Sequence, residues 1–425
     1  MKLLQQNTLL KVLSLNSVSV AVNFVLGIIS SKIIAVFLGA SGMALMGSFR
    51  NFASMIKSMA TLGVSNSIVK LFVENKEDKQ ELSVIYSTFF WLFLAISSIM
   101  GILVLAFAEP ISDFLFFTNS YTIPIRFFAL LLPLMVINTF WLAIYNGLER
   151  YKKIVFIQIV SNILVFGITA FLIWQKQIFG GLLSIAIGEM LMVMVTFLFV
   201  RQDKESFRFD LQKLISPKYL KVIKRFSVMA LLSAFAVPMT LLFIRNAIVQ
   251  SHSIEEAGIW DAVNRLSSFY MMFFSSGLSL YYMPKLASIH TESEFKAELK
   301  SYFKVFVPLF FLMLVMVYWA KSIILEMAFT EAFSSVNELL IWQLAGDFIK
   351  IMTLAFGFQI LVKTMMKRYF LVEIVFNISY FVLAVFLMKA SAVEGVVKAY
   401  FYANVVALVL VLLMFRKVFI KSKDQ

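Results

Sequence analysis

Twelve apolar segments, each close to the 20 or so residues a helix needs to cross a bilayer, fill this chain of 425 residues. They fall near 12–37, 43–69, 84–107, 122–147, 154–174, 179–200, 226–249, 258–284, 304–320, 335–362, 369–388 and 396–415. What remains is short charged connections, too little chain to build a separate soluble domain. Hydrophobic residues make up 61% of the sequence and the mean hydropathy is +0.89. The expected fold class is an all-α polytopic membrane protein with 12 transmembrane helices.

Outside the segments, Lys and Arg concentrate in the N-terminus, the C-terminus and the loops that follow even-numbered segments. By the positive-inside rule both termini face the cytoplasm. The same distribution accounts for the net charge of +14, which topology explains without a nucleic-acid partner. The first 30 residues lack a small-residue cleavage pattern, so the first segment reads as an uncleaved span. Zero Cys excludes disulfides, CxxC redox chemistry and thiolate metal sites.

The longest charged stretch, 201–225, separates six segments from six and holds Ser216-Pro217, a helix start. It divides the chain into an N-lobe at 1–200, a cytoplasmic linker at 201–225, and a C-lobe at 226–425 with a short cytoplasmic tail. Because six is even, any repeat relating the lobes has its axis along the membrane normal. A displacement of 215 positions lays Arg50 on Arg265 and Lys70 on Lys285, in two segments expected to follow turns containing Gly42 and Gly258.

The second segment is polar at Arg50, Ser54, Lys57, Ser58, Thr61 and Ser65, spacings that place all six on one helical face. A charge near the bilayer midplane costs about 2.5–3.5 kcal/mol on the lenient scale, so two on one helix direct that face onto water or substrate. Lys32, Arg245, Arg265 and Lys350 join Arg50 and Lys57 as embedded cations, against Glu189, Asp261, Asp347 and Glu373. Asp261 with Arg265, and Asp347 with Lys350, are spaced to pair along their own helices. That leaves Arg50, Lys57, Lys32 and Arg245 uncompensated, and a positive cavity suited to an anionic substrate. Lys32 and Arg245 also lie within snorkelling reach of the outer interface. Asn51 beside Arg50, Gln343 on the face of Asp347 and Lys350, and Asn16, Asn23 and Ser30 at seven-residue spacing are further candidates for the cavity wall. Pro238 is expected to kink the seventh segment, and Gly27 to do the same in the first.

Other chemistry is missing from the sequence. Its two histidines, His252 and His290, fall in loops expected on opposite sides of the membrane, so no His-based triad or HExxH site forms. There is no GxxxxGK[ST] phosphate loop. The extracytoplasmic loops are too short for a catalytic surface. No enzyme, metal or cofactor is expected.

Residues 27–51 (GIISSKIIAVFLGASGMALMGSFRN), 257–260 (AGIW) and 341–358 (IWQLAGDFIKIMTLAFGF) resemble the Wzx-type flippases of the multidrug/oligosaccharidyl-lipid/polysaccharide exporter superfamily. The resemblance runs through both lobes. It implies a V-shaped, two-lobe carrier in the bacterial inner membrane that flips an undecaprenyl-pyrophosphate-linked oligosaccharide, of the O-antigen or enterobacterial-common-antigen type, to the periplasmic leaflet. It also implies a cavity role for Lys32, Arg50, Arg245, Gln343, Asp347 and Lys350. Lys57, Asp261 and Arg265 depart from the family pattern, and their roles rest on the physical argument alone.

A cation-coupled multidrug exporter of the same superfamily calls for an acidic, aromatic cavity, whereas this one is basic. A peptidoglycan-precursor (lipid II) flippase usually carries fourteen spans. The expected partners are the lipid-linked glycan, the bilayer and other polysaccharide-assembly membrane proteins, with the carrier itself a monomer. Asp347 and Asp261 are the candidates for coupling to an H⁺ or Na⁺ gradient. The membrane potential is an alternative driving force.

Overall fold

The computed structural model describes residues 2–203 and 216–419, and among these the chain is helical with no strand. Residues 204–215 of the expected linker and the tail from 420 lie outside that set. The helices are α1 (Lys2–Phe37), α2 (Gly39–Ala60), α3 (Ser65–Glu74), α4 (Lys79–Ala106), α5 (Ala108–Phe116), α6 (Thr122–Gly147), α7 (Tyr151–Gln202) and α8 (Pro217–Ser251). After these come α9 (Ile254–Gly277), α10 (Met283–Ser288), α11 (Glu292–Trp319), α12 (Lys321–Ala328), α13 (Val336–Val362), α14 (Met366–Met414) and α15 (Arg416–Phe419).

Their ends follow from local chemistry. Asp78 caps α4 by accepting from the N–H groups of Gln80 and Glu81, and Ser253 caps α9 through Glu256 N–H. Thr291 and Glu294 form a reciprocal capping box that starts α11 well before the expected 304. Pro217 opens α8, where its missing N–H costs nothing. The start of α8 is tied to α4: Ser216 N–H donates to Thr88 Oγ1 at 3.1 Å, and Lys218 Nζ reaches Glu81 Oε1 at 2.6 Å. Tyr219 donates its hydroxyl to the same carboxylate. Burial, and then this bond, push the Tyr219 phenol up to about 12.

Eight helices among the described residues are long and apolar enough to cross a membrane. Two of them, α7 with 52 residues and α14 with 49, would run to roughly 75 Å if straight, against a hydrocarbon core of about 30 Å. Each therefore makes two passes, reversing at a non-helical residue: Gln177 in α7, and Ser391-Ala392 in α14. The expected second segment is α2 followed by α3. The expected eighth is α9, which continues through a wide π turn at Leu278–Tyr282 into α10.

The 215-residue displacement that pairs Arg50 with Arg265 holds for the backbone. It carries the start of α2 at Gly39 onto that of α9 at Ile254, the end of α6 at Gly147 onto that of α13 at Val362, and the start of α7 at Tyr151 onto that of α14 at Met366. Left-handed Glu149 (φ 59°) falls on Thr364 (φ 50°). Gln177 (φ 50°, ψ −132°) falls on Ala392 (φ 47°, ψ −134°). A Cβ on Gly180 would lie 1.9 Å from the Leu172 carbonyl oxygen, and one on Gly395 would lie 2.3 Å from that of Leu387. The two hairpins are thus built alike, each closed by a glycine against the carbonyl of the same preceding turn.

The chain divides into two compact units, Met1–Leu38 with Leu45–Leu242, and Gly39–Ala44 with Phe243–Gln425. In the first unit α6 is deeply enclosed, with Phe128, Leu132, Met135 and Val136 buried along it. In the second, α13 is likewise enclosed, with Leu340, Ile351, Ala355 and Phe356 buried. The expectations about the two turns are corrected. Gly42 lies inside α2, and the reversal is made at Gly39, whose φ of +65° a side chain would strain. Gly258 lies inside α9, where a Cβ would sit 1.9 Å from the Ala40 carbonyl oxygen, so it serves close helix approach. Gly27 and Pro238, where kinks are expected, lie within α1 and α8, and each helix is continuous there.

Candidate functional site

In the first unit, Arg50, Ser54, Lys57, Ser58, Thr61 and Ser65, the six residues of the polar α2 face and its extension, line one cavity of about 440 Å³. α6 contributes Phe128 and Thr139 to its wall, and α7 contributes Ile185 and Glu189. Asn51, next to Arg50, is not among the lining residues.

Lys57 is paired there, contrary to the sequence-based expectation. Its Nζ lies 2.7 Å from Glu189 Oε2, with the two side chains 25% and 28% exposed. An amphipathic pattern on α2 cannot reveal a partner 132 residues away on α7. Arg50 is the other cation of the lining. Partial exposure leaves Lys57 able to exchange Glu189 for another anion at modest cost.

The second unit holds two buried polar centres. Arg245 on α8 is only 2% exposed and pairs with Asp261 on α9, its guanidinium carbon 5.4 Å from the Trp260 ring centroid. It neither snorkels nor stands uncompensated, and Asp261 does not serve Arg265 alone. Arg265 is half-buried on α9, and Lys32 is half-buried on α1.

Asp347 on α13 is fully buried and accepts hydrogen bonds from neutral donors. Ser267 Oγ lies 2.6 Å and Gln343 Nε2 3.4 Å from its Oδ2, and the Tyr270 hydroxyl donates to the same oxygen. Tyr400 donates to Oδ1 at 2.8 Å. No ion pair joins Asp347 to Lys350 among the described residues. Lys350 Nζ instead stands 5.9 Å from the centroid of the Tyr400 ring, so Tyr400 contacts both charges. Ser267, Tyr270 and Tyr400 come from α9 and α14 and were not foreseen. Asn23, expected on a cavity wall, accepts from Asn162 Nδ2 and joins α1 to α7. The side chain of Asn16 lies outside the described set.

Comparison with known proteins places these features. The family described as polysaccharide biosynthesis protein matches residues 9–290. The lipid III flippases of Escherichia coli (strain K12) and Shigella flexneri are each 23% identical over 391 residues, which cover 89% of this chain and 91% of theirs. Among solved structures, the lipid II flippase MurJ in an inward closed conformation superposes with a TM-score of 0.72 at 15% identity, covering 95% of this chain and 89% of its own. The MATE multidrug transporter DinF-BH gives 0.75 at 14% identity, covering 98% and 97%. At these identities the structural likeness shows the shared fold.

Proposed function

We propose that this chain, which belongs to the polysaccharide biosynthesis protein family, flips an undecaprenyl-pyrophosphate-linked oligosaccharide from the cytoplasmic to the periplasmic leaflet of the bacterial inner membrane by alternating access. It is a multi-pass membrane protein and a transporter, not an enzyme, as its flippase and transporter relatives indicate. The observation that carries the reading is the basic cavity of the first unit. Arg50 and Lys57 sit on one wall among four hydroxyl groups, a set suited to a diphosphate and the sugar hydroxyls beside it. The polyprenyl tail needs no protein site, because lipid solvates it.

Flipping breaks no covalent bond, and the work lies in moving anionic charge through a low-dielectric layer. Arg50 offers bidentate contact to one phosphate. Lys57 is held by Glu189 until the diphosphate competes for it, so this cation is neutralised while the cavity is empty. An interior-negative potential favours outward movement by about 2.3 kcal/mol per charge per 100 mV. Both termini face the cytoplasm in this reading. A basic cavity also weighs against cationic drugs as cargo.

The test uses proteoliposomes containing a labelled undecaprenyl-pyrophosphate oligosaccharide, with headgroup access read by a membrane-impermeant reagent. The intact protein is expected to expose the label on both faces. Arg50→Ala is expected to remove that activity while the protein remains inserted. Equal flipping by Arg50→Ala and the parent would refute the assignment of the cavity.

A further inference from the structure

Away from the α2 cavity and the two buried polar centres, the second unit contains a separate cavity of about 360 Å³. The segment joining α10 to α11, the α13–α14 corner and the end of α14 with α15 form its walls. We propose that it is a binding site for the headgroup of an anionic phospholipid, a phosphodiester that also carries free hydroxyls, as in phosphatidylglycerol.

Lys363 and Arg368 both line it and neither forms an ion pair among the described residues. Lys363 Nζ donates to the Ile289 carbonyl, which fixes its direction and leaves the charge unneutralised. Arg368 lies over the Phe415 ring, 4.9 Å from its centroid, and donates only to the Met365 sulfur, at 3.6 Å. A guanidinium held against an aromatic face and a thioether still has donors to offer an anion. The nearby Glu294 is engaged elsewhere, accepting from the backbone N–H groups of His290 and Thr291 in the capping box. Gln359, 7% exposed, lines the same cavity, and its Oε1 has no hydrogen-bond partner among the described residues.

Against one acid in its lining, the exposed Glu292, the cavity presents two cations to a phosphate and one buried carbonyl oxygen to a hydroxyl donor, with Phe295 and Met414 as apolar wall for the glycerol stem. A buried acceptor left alone costs about 1–3 kcal/mol, and a headgroup hydroxyl supplies the missing bond. Zwitterionic headgroups match less well, since a choline offers no donor and an ethanolamine adds positive charge to a basic site. Most of the lining residues lie at or next to helix ends, the part of a membrane helix that reaches the headgroup region.

The full-length protein in mixed nanodiscs of phosphatidylglycerol, phosphatidylethanolamine and phosphatidylcholine is released for native mass spectrometry, and the retained lipids are counted. Phosphatidylglycerol should be retained preferentially. Lys363→Gln and Arg368→Gln should each reduce its retention about fivefold, from roughly 1 kcal/mol per basic residue near an anionic lipid surface, while Arg368→Lys keeps most of it. Gln359→Leu should narrow the preference for phosphatidylglycerol over phosphatidylcholine. Equal phosphatidylglycerol retention in the parent and a Lys363→Gln/Arg368→Gln double variant would overturn the proposal. So would displacement of the lipid by millimolar inorganic phosphate, which would mark a site for a free anion. The readout is lipid retention, so the result stands apart from whether the carrier flips a glycan.

Discussion

Replacing Asp261 with Asn isolates the energetics of the ion pair in the second unit. Asn has nearly the volume of Asp, so packing is conserved while the negative charge is lost. Arg245 is then left at 2% exposure with its guanidinium uncompensated. Its Nε and Nη1 already have no hydrogen-bond partner among the described residues, so the Asp261 carboxylate is a principal reason the charge is tolerated. Orphaning one member of a buried pair costs about 3–5 kcal/mol, whereas an exposed pair is worth about 0–1. The low exposure selects the larger figure. Unfolding in detergent followed by Trp fluorescence measures the loss, and Trp260, 5.4 Å from the guanidinium carbon, reports from the site itself. The double variant Arg245→Met/Asp261→Leu should recover most of the loss, because it removes both charges and restores apolar packing. Asp261→Asn within about 1 kcal/mol of the parent, or a double variant no better than the single, would refute the argument.

Other consequences are open to direct measurement. Glu189→Gln frees Lys57 from its acid, and inorganic pyrophosphate should then bind the protein in nanodiscs more tightly; weaker binding would show that Glu189 helps to hold the anion. Tyr400→Phe removes the donor to Asp347 Oδ1 and should destabilise the second unit by about 1–3 kcal/mol, a loss read by chemical denaturation. If Asp347 couples transport to an ion gradient, Asp347→Asn should flip substrate in proteoliposomes without responding to an imposed H⁺ or Na⁺ gradient, and an unaltered response would exclude it. The N–H groups of His290 and Thr291 hold the Glu294 carboxyl below its ordinary range. Its contribution is therefore present above the unfolded carboxyl value and is lost as pH falls through the lower folded one. Amide exchange in the first turn of α11, corrected for its intrinsic pH dependence, should lose protection over that acid window in the parent and show no such step in Glu294→Gln.

The sequence made the membrane class legible because hydropathy integrates over twenty residues, and it made the polar face of α2 legible because Arg50, Ser54 and Lys57 recur at helical spacing. Its account of charge pairing was mostly wrong. Spacing along one helix suggested Asp347 with Lys350, but the acid is served by hydroxyls from α9 and α14. Likewise Lys57 meets Glu189 and Arg245 meets Asp261, each across a helix boundary that no local pattern crosses. Hydropathy also placed the two reversals, in the gaps between the segments ending at 174 and 388 and those starting at 179 and 396, but it could not single out Gln177 and Ala392, since neither is a Gly or Pro. The available signal was one step removed, in Gly180 and Gly395, each three residues past its bend and 215 positions apart.

Those two reversals bear on how the chain enters a membrane. A turn made by one or two residues leaves no long loop between the arms of such a hairpin, so the entry of one arm is tied to the entry of the other. α7 and α14 are therefore expected to leave the insertion machinery as pairs of arms. Substituting Gly for Gln177 or Ala392 relieves a left-handed backbone that a side chain resists, and should ease that step during biogenesis as well as in the finished fold. Lengthening either turn with a charged insert would allow the arms to enter separately, at the risk of a reversed second arm.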